Sequence, residues 1–363
     1  MSQIRDNEVE LVDSKVLNTP QKSSHVNGPW DFAIPSNEVS DLSTINGKKD
    51  SNIHVDKLKF DDVLINPPYA AKTEYVFKER NRFMEDDGCF NKGMIFFNEG
   101  AITKAIIAFQ AFVQQNPEDS SEGWRMLGMS HQEHDQDREA IICLEKAVEQ
   151  DPYNLDALLA LGVSHVNELN SPKALAKLKA WVSHHPKFQG VKIIEDAYSD
   201  GTLMDEVMQL MLKAREVDPN DVDVRVVLGV LYNVSRDYGS AIQEFRSALA
   251  LKPKDYTLWN KLGATQANGN RNEEALHSYR RALDFKPKYA RAWLNMGISN
   301  ANLRKYEGAL HGYIRALQLN SSATHVWSYM RIACVCMERF DMIQLIDQKD
   351  LQAFFKYTKL EHS

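Results

Sequence analysis

The stretch that decides the fold runs from residue 256 to residue 323. It reads YTLWNKLGATQANGNRNEEALHSYRRALDFKPKY over residues 256–289 and ARAWLNMGISNANLRKYEGALHGYIRALQLNSSA over residues 290–323. The two halves match at a spacing of 34 residues, and the shared positions pair Trp259 with Trp293, Gly263 with Gly297, Ala275 with Ala309, Tyr279 with Tyr313 and Ala282 with Ala316. A unit of this length predicts two antiparallel helices that bury their apolar faces only by stacking on neighbouring units.

The same marker residues recur over most of the chain. We number the positions of a unit from residue 256 or residue 290. In five units a glycine at position 8 is followed 24 residues later by a proline at position 32. The pairs are Gly93 with Pro117, Gly128 with Pro152, Gly162 with Pro186, Gly229 with Pro253 and Gly263 with Pro287. Position 20 is alanine in Ala105, Ala140, Ala174, Ala241, Ala275 and Ala309. This is the tetratricopeptide-repeat signature, so we predict an all-α superhelix in which glycine lets two helices approach and proline ends the second.

One unit departs from the pattern. Residues 188–221 keep the terminal proline but carry Glu195 in place of the glycine, and the segment Ser199-Asp200-Gly201 interrupts the helix. We interpret this unit as degenerate and hinge-like. The predicted organisation is a tail over 1–75, a first repeat triplet over 76–187, the degenerate hinge repeat over 188–221, a second repeat triplet over 222–323 and a C-terminal helical cap over 324–363.

The predicted tail, residues 1–75, is rich in Ser, Asn, Asp, Lys and Pro, which favours disorder. Within it Trp30, Phe32 and Ile34 form a candidate docking motif, because one amphipathic turn can fill a partner's groove. The same residues are equally compatible with a loose apolar patch that rests on the folded part.

Composition and charge narrow the function classes. The chain is 43% hydrophobic and 26% charged, and its formal net charge of -7 argues against nucleic acid and anionic membranes as partners. No apolar run approaches the roughly 18 residues of a spanning helix, and the start, MSQIRDNEVELVDSK, lacks the apolar core of a secretory signal. The four cysteines do not have the spacing of a disulfide framework, so we expect a reducing, cytosolic setting.

The groove of the superhelix is predicted to be lined by the first helix of each unit. Position 13 reads Asn98, Glu133, Asn167, Val234, Asn268 and Asn302. Asparagine is not favoured inside a helix, yet its amide carries donors and an acceptor on one short arm. In register, these amides suit a clamp for the backbone of an extended peptide. The alternative is that they make hydrogen bonds between helices of the array.

One end of the groove is expected to hold an anion. Asn260, Lys261, Arg291 and Asn295 converge in the last triplet, and a fixed cluster of cations and amides suits the free carboxylate of a peptide C-terminus. The alternative for Lys261 and Arg291 is a solvated salt bridge with a neighbouring Asp or Glu.

At these residues the sequence resembles the receptors for type 1 peroxisomal targeting signals, which bind cargo proteins that end in Ser-Lys-Leu or close variants. The resemblance covers about residues 74 to 360. It is carried by the segments Glu74-Tyr75-Val76-Phe77, Ala160-Leu161-Gly162-Val163-Ser164, Leu258-Trp259-Asn260-Lys261-Leu262-Gly263-Ala264-Thr265, Asn268-Gly269-Asn270, Asn295-Met296-Gly297-Ile298-Ser299 and His325-Val326-Trp327.

The resemblance implies which residues contact cargo. The family's amide contacts map onto Asn167, Asn260, Asn268, Asn295 and Asn302, and its basic groove residues map onto Lys261 and Arg291. Val166 stands where the family often has Thr, which removes one polar contact, and Glu133 is expected to meet the lysine of the signal.

The resemblance also implies partners and location. We expect a cytoplasmic receptor that cycles to the peroxisome membrane and meets its docking machinery, with no cofactor, metal, nucleic acid or small-molecule substrate. The tail departs from the family, which carries several W-x3-F/Y motifs and an early cysteine. Here the first cysteine is Cys89, and Trp30 has the wrong spacing to Phe32, although Ile34 stands at the expected distance.

Other functions stay open. A related adaptor that binds the C-terminal tails of membrane proteins and regulates their trafficking would have the same groove. A clamp for acidic chaperone tails would need more cations along the groove. An enzyme is disfavoured, because His131 and His134 lack the H-E-x-x-H spacing and Cys334 and Cys336 face different directions on a helix.

Overall fold

The computed structural model describes residues 74–191 and 201–358, and every regular element within them is a helix. The tail before residue 74, with Trp30, Phe32 and Ile34, lies outside the described residues. The helices are α1 (Cys89–Asn98), α2 (Ile102–Gln115), α3 (Ser121–Glu133), α4 (Asp137–Gln150), α5 (Leu155–Asn167), α6 (Ser171–His184), α7 (Leu203–Val217), α8 (Val222–Val234), α9 (Tyr238–Leu251), α10 (Tyr256–Asn268), α11 (Asn272–Phe285), α12 (Ala290–Asn302), α13 (Tyr306–Leu319), α14 (Val326–Cys336), α15 (Ile343–Asp347) and α16 (Leu351–Thr358). None of these helices is both long and apolar enough to cross a bilayer.

Each unit is a helix hairpin held close by its position-8 glycine. A Cβ atom added to Gly263 would lie 2.6 Å from the ring of Tyr279, and one added to Gly297 would lie 2.7 Å from the ring of Tyr313. The same glycine meets a large side chain of the second helix in the units of Gly93, Gly128, Gly162 and Gly229. The prediction that a small residue lets the two helices approach is confirmed.

The second helices of the units end near the prolines that were predicted to end them. α9 ends at Leu251, two residues before Pro253, and α11 ends at Phe285, two residues before Pro287. Five first helices are instead followed, two residues after their last residue, by a residue with left-handed backbone. These residues are Asp135, Leu169, Arg236, Asn270 and Arg304. This conformation turns the chain back so that the second helix can pack against the first.

Consecutive units are joined by the tryptophan and proline of the signature. The Nε1 of Trp259 donates a hydrogen bond of 2.9 Å to the carbonyl of Pro253, and Trp293 makes the same bond with Pro287. Each tryptophan is therefore hydrogen-bonded to the turn that connects its unit to the preceding one. This bond explains why the tryptophan and the proline occur together.

The lead-in segment before α1 packs on the first two units. The hydroxyl of Tyr75 accepts a hydrogen bond from Gln110 and lies 2.7 Å from Nε2 of His131. The ring of Tyr75 also makes T-shaped contacts with Phe77 and Trp124, and the rings of Phe77 and Trp124 are tilted against each other. This segment, which the family resemblance includes, is thus an integral part of the folded array.

The degenerate unit has one described helix, α7, while residues 192–200 lie outside the described part. Its core is continuous on both sides: Trp181 and Phe188 before the gap share one apolar cluster with Met211 on α7 and Val224 on α8. Whether this unit acts as a hinge stays a prediction. At the C-terminus, α14 to α16 cover the apolar face of α13, because Trp327, Met330 and Phe354 pack in one cluster with residues of α13.

The array closes on itself. Glu133 at the end of α3, the carbonyl of His134 and the side chain of Asp137 contact residues between α11 and α14, which are more than a hundred positions away in the sequence. The first helices of the units therefore face a common interior, and this interior contains the candidate site.

Candidate peptide-binding site

A cavity of about 290 Å³ lies inside the closed array. Its wall is formed by residues of α3, α5, α8, α10 and α12, which are all first helices of their units, and by the turns that precede α10 and α12. A volume of this size is at the lower limit for ligand pockets, so it fits a few residues of a chain terminus and excludes a folded partner.

The structure brings together some of the predicted site residues. Five of them line the cavity: Glu133, Asn167, Asn260, Lys261 and Arg291. Asn268, Asn295 and Asn302 are outside its wall. The first group comes from four different helices, and only closure of the array makes them neighbours.

Asn167 lines the cavity, and the two ends of its side-chain amide differ: one is hydrogen-bonded and the other is buried. Its Nδ2 donates a bond of 3.0 Å to Oδ1 of Asp137, and Ser164 donates to the same oxygen. A carboxylate can only accept, so this bond fixes which end of the amide faces Asp137. Among the described residues, the buried Oδ1 of Asn167 has no hydrogen-bond partner. A buried acceptor without a hydrogen bond costs folding free energy. Such an acceptor is typical of a site where a ligand supplies the donor.

Asn260 has the opposite polarity. Its Oδ1 accepts a bond of 3.2 Å from Nδ2 of Asn295, and both side chains are buried. The carbonyl end of Asn260 is therefore occupied, and its NH2 end is the part that can meet a ligand acceptor. Asn295, which was predicted as a direct contact, lies behind Asn260 and orients it.

Position 13 also makes bonds between units. Asn302 donates to Oδ1 of Asn272, thirty residues earlier, as Asn167 does to Asp137. The Oδ1 of Asn302 is likewise buried without a hydrogen-bond partner. Asn98 in the first unit is exposed instead. The hydrogen bonds between helices that we considered as the alternative are thus present. In Asn167 and Asn302 they use the NH2 group of the amide and not its carbonyl.

Arg291 is ion-paired inside the protein. Its Nη2 lies 2.7 Å from Oδ2 of Asp137 and 3.3 Å from Oδ1 of Asp135, and its side chain is only 6% exposed. The predicted alternative of a salt bridge is present, but the pair is buried rather than solvated. Burial raises the pKa of Asp135, but the charge of Arg291 and the contact with His325 outweigh it and hold that pKa below its usual range.

Glu133, which was predicted to contact a basic residue of the ligand, already has basic and hydroxyl partners within the protein, and its contact with a ligand stays a prediction. Its carboxylate is buried, pairs with Nζ of Lys286 and accepts a hydrogen bond from the hydroxyl of Tyr256. Burial raises the pKa of Glu133 and lowers that of Lys286, because lost solvation outweighs their mutual attraction. Both oxygens of this carboxylate therefore contact residues of distant units.

The wall carries charges of both signs. Beside the predicted cations it includes Arg125 and Lys252, and beside Glu133 it includes Asp156, Asp223 and Asp255. Asp255 caps α10 by accepting from the backbone of Thr257 and Leu258. The cavity is therefore not the uniformly basic groove that an acidic-tail clamp needs.

Sequence reasoning missed the aspartates at 135 and 137. Asp137 stands at the first position of a second helix, where the other units carry residues such as Ser171, Asn272 and Tyr306. It has no periodic signal, because its partner Arg291 belongs to a distant unit. The sequence offered one sign of its role: Asp137 stands 30 residues before Asn167. That spacing indicates a contact only if the packing of adjacent units is already known.

Comparisons with known proteins agree with the fold and with the resemblance. A family model described as TPR repeat matches residues 267–303. The chain is 43% identical over 189 residues to "Peroxisome biogenesis protein 5" of Arabidopsis thaliana, 34% identical over 218 residues to "PEX5-related protein" of Homo sapiens and 28% identical over 295 residues to "Peroxisomal targeting signal receptor" of Saccharomyces cerevisiae.

These matches cover different shares of the chains. They span 51%, 56% and 76% of this chain, but 26%, 35% and 46% of the respective relatives. The chain thus spans between a quarter and a half of the length of these curated relatives. It is a tetratricopeptide-repeat protein, and over about half of its length or more it is similar to peroxisomal targeting signal receptors.

Proposed function

We propose that this protein is a cargo receptor that binds the C-terminal, Ser-Lys-Leu-like type 1 peroxisomal targeting signal of proteins destined for the peroxisome matrix. The observation that carries the proposal is the pair of amides in the cavity wall. Asn167 offers a buried acceptor without a partner, and Asn260 offers a donor whose orientation Asn295 fixes.

This polarity matches the end of an extended peptide. Its backbone carries N–H donors that need an acceptor such as Asn167, and its terminal carboxylate accepts only, as Asn260 requires. Charge-assisted bonds are stronger than neutral ones, so Lys261 in the same wall gives the carboxylate a preference over an amide end. Asn268 and Asn302 stay proposed backbone contacts, since Asn302 shares the buried, unpartnered acceptor of Asn167.

The size of the cavity supports a short signal. About 290 Å³ holds a few residues, so recognition is confined to the last residues of the cargo. The names of the relatives support the same biological role, because several are targeting signal receptors. In this proposal the protein works in the cytoplasm and cycles to the peroxisome membrane, where docking machinery is its second partner.

A related adaptor for the tails of membrane proteins would use the same wall. The two functions differ in the ligand sequence, not in the chemistry of the carboxylate. A panel of C-terminal peptides therefore separates them.

The test is fluorescence anisotropy with labelled peptides. One peptide ends in Ser-Lys-Leu, a second is the same peptide with an amidated C-terminus, and a third ends in Glu-Glu-Val-Asp. We expect tight binding of the first alone. Asn98→Ala is the matched control, because it changes an exposed asparagine at the same position of the first unit. Equal binding of the amide, or preference for the acidic peptide, would contradict the proposal.

A further inference from the structure

Polar contacts join the two ends of the array, and three of them involve Arg291, Lys286 and Asn320. The first is the ion pair of Arg291 with Asp135 and Asp137, the second is the pair of Lys286 and Glu133, and the third is a bond of 2.5 Å from Nδ2 of Asn320 to the carbonyl of His134. Lys286 also stands over the ring of Phe97 at 4.5 Å. Together these contacts tie α1, α3 and the turn after α3 to the segment around α12.

Arg291 is the centre of the first contact. Its charge is matched by two aspartates within 3.3 Å, and its side chain is as buried as theirs. A ligand carboxylate could recruit this guanidinium only by displacing an aspartate, and a buried aspartate without its cation is strongly destabilised. Asp135 is also placed by its left-handed backbone, with φ 60°, which fixes the turn that faces Arg291.

The ion pair continues into the ligand site. Asp137 bonds Arg291 through one carboxylate oxygen and Asn167 through the other. The direction of the Asn167 amide, and with it the position of its buried acceptor, therefore depends on Asp137. Arg291 in turn holds Asp137.

We infer that Arg291 is a positioning residue and not the receiver of the ligand's carboxylate. It closes the array and, through Asp137, orients Asn167, while Lys261 and Asn260 receive the carboxylate. The inference rests on the proposed function, and it changes the role that the family resemblance implies for Arg291.

The first arm of the test measures peptide affinity. In the full chain, Arg291→Met and Asp137→Asn should each weaken the Ser-Lys-Leu peptide by about tenfold or more, as the loss of a charge-assisted bond predicts. The free acid and the amide should weaken by the same factor. Lys261→Met should instead lower the ratio of acid to amide affinity. Because Arg291 and Asp137 act as one unit, the double variant should lose no more than the worse single variant.

The two roles of Arg291 give opposite results for Asp137→Asn. If Arg291 received the carboxylate, removing its internal competitor would strengthen binding of the free acid. Arg291→Met would then abolish the preference for acid over amide. Either result overturns the inference.

The second arm needs no ligand. Hydrogen exchange of the segments 134–137 and 286–291 should become faster in Arg291→Met and in Asp137→Asn, because both segments lose their cover when the array opens. Lys261→Met should leave both rates unchanged, and the distant helix α9 should keep its rates in every variant. If wild-type protein binds no Ser-Lys-Leu peptide, the proposed function fails, but unchanged exchange in both ion-pair variants is what contradicts the role of Arg291.

Discussion

At the scale of residues, the proposed function depends on how the side-chain amides of two asparagines are oriented. Asn167 and Asn260 carry the same side chain but are bonded through opposite ends of the amide, because Asp137 accepts from the NH2 group of Asn167 and Asn295 donates to the carbonyl of Asn260. The sequence could predict that amides line the groove, since position 13 repeats. It could not predict their polarity, because each orientation depends on a partner in another unit.

This difference in polarity leads to a prediction about two matched substitutions. Asn260→Leu removes the donor for the carboxylate and should weaken the free-acid peptide more than its amide. Asn167→Leu removes the acceptor for a backbone N–H and should weaken both by the same factor, about tenfold if one hydrogen bond of roughly 1.4 kcal/mol is lost. Anisotropy titrations of both peptides measure the two ratios. A common ratio in the two variants would show that the amides are not turned as described.

The glycine at position 8 gives a prediction about stability. Gly263→Ala places a methyl group 2.6 Å from the ring of Tyr279, so we expect a loss of about 1 to 3 kcal/mol, as for overpacking elsewhere. Gly239→Ala is the control, because that glycine is exposed in α9 and its nearest neighbour is at 3.5 Å. It should be neutral or stabilising, since alanine favours helix. Urea unfolding of both variants decides, and equal losses would argue against close helix approach at Gly263.

At the scale of elements, helix bounds follow local spacing and could be predicted. The prolines at position 32 repeat in most units, so the ends of those second helices could be predicted, whereas the left-handed residues after the first helices share no residue type and were not predicted. The contact of α3 with the segment around Lys286 could not be predicted. Glu133 and Lys286 are 153 positions apart, and each resembles an ordinary surface residue in the sequence.

The buried pair of Glu133 and Lys286 should be sensitive to loss of one partner. Lys286→Met leaves a buried carboxylate without its cation, so we expect a loss of about 3 to 5 kcal/mol in the free energy of unfolding. Replacing both, as Glu133→Gln with Lys286→Met, should recover much of this loss, because no charge stays buried. Chemical denaturation of the two variants is the measurement. A double variant less stable than the single one would contradict the account.

Three buried histidines predict the pH dependence of stability. Burial lowers the pKa of His131, His134 and His165 from 6.5 to about 4. Between these values the unfolded chain binds more protons than the folded one, so stability is complete above pH 6.5 and falls as the pH drops towards 4. His131 also holds Tyr75 and Gln136, so its protonation would loosen the lead-in segment.

Thermal unfolding between pH 7 and pH 4.5 tests this prediction. The transition should move to lower temperature as the pH falls. His165→Leu removes one of the three groups and should make the dependence shallower. A transition that does not move over this range would refute the assignment.

At the scale of the whole molecule, the array is a ring, and the ring makes the site. Residues of the second, third, fifth, sixth and seventh units share one wall, and Arg291, Lys286 and Asn320 join the later units to α3 and to residues 134–137 after it. Repeat spacing predicts a superhelix but carries no information on whether its ends meet. The resemblance to targeting signal receptors predicted groove residues, five of which line the cavity, but it did not predict the contacts that bring them together.

The measurement that tests the central claim most directly is the affinity of the wild-type protein for one peptide ending in Ser-Lys-Leu, as the free acid and as the amide. The free carboxylate should bind at least about tenfold more tightly, because Asn260 and Lys261 together offer it charge-assisted bonds that an amide cannot match. Equal affinity for the two peptides, or no binding of either, would contradict the claim that this cavity holds the C-terminus of a cargo protein.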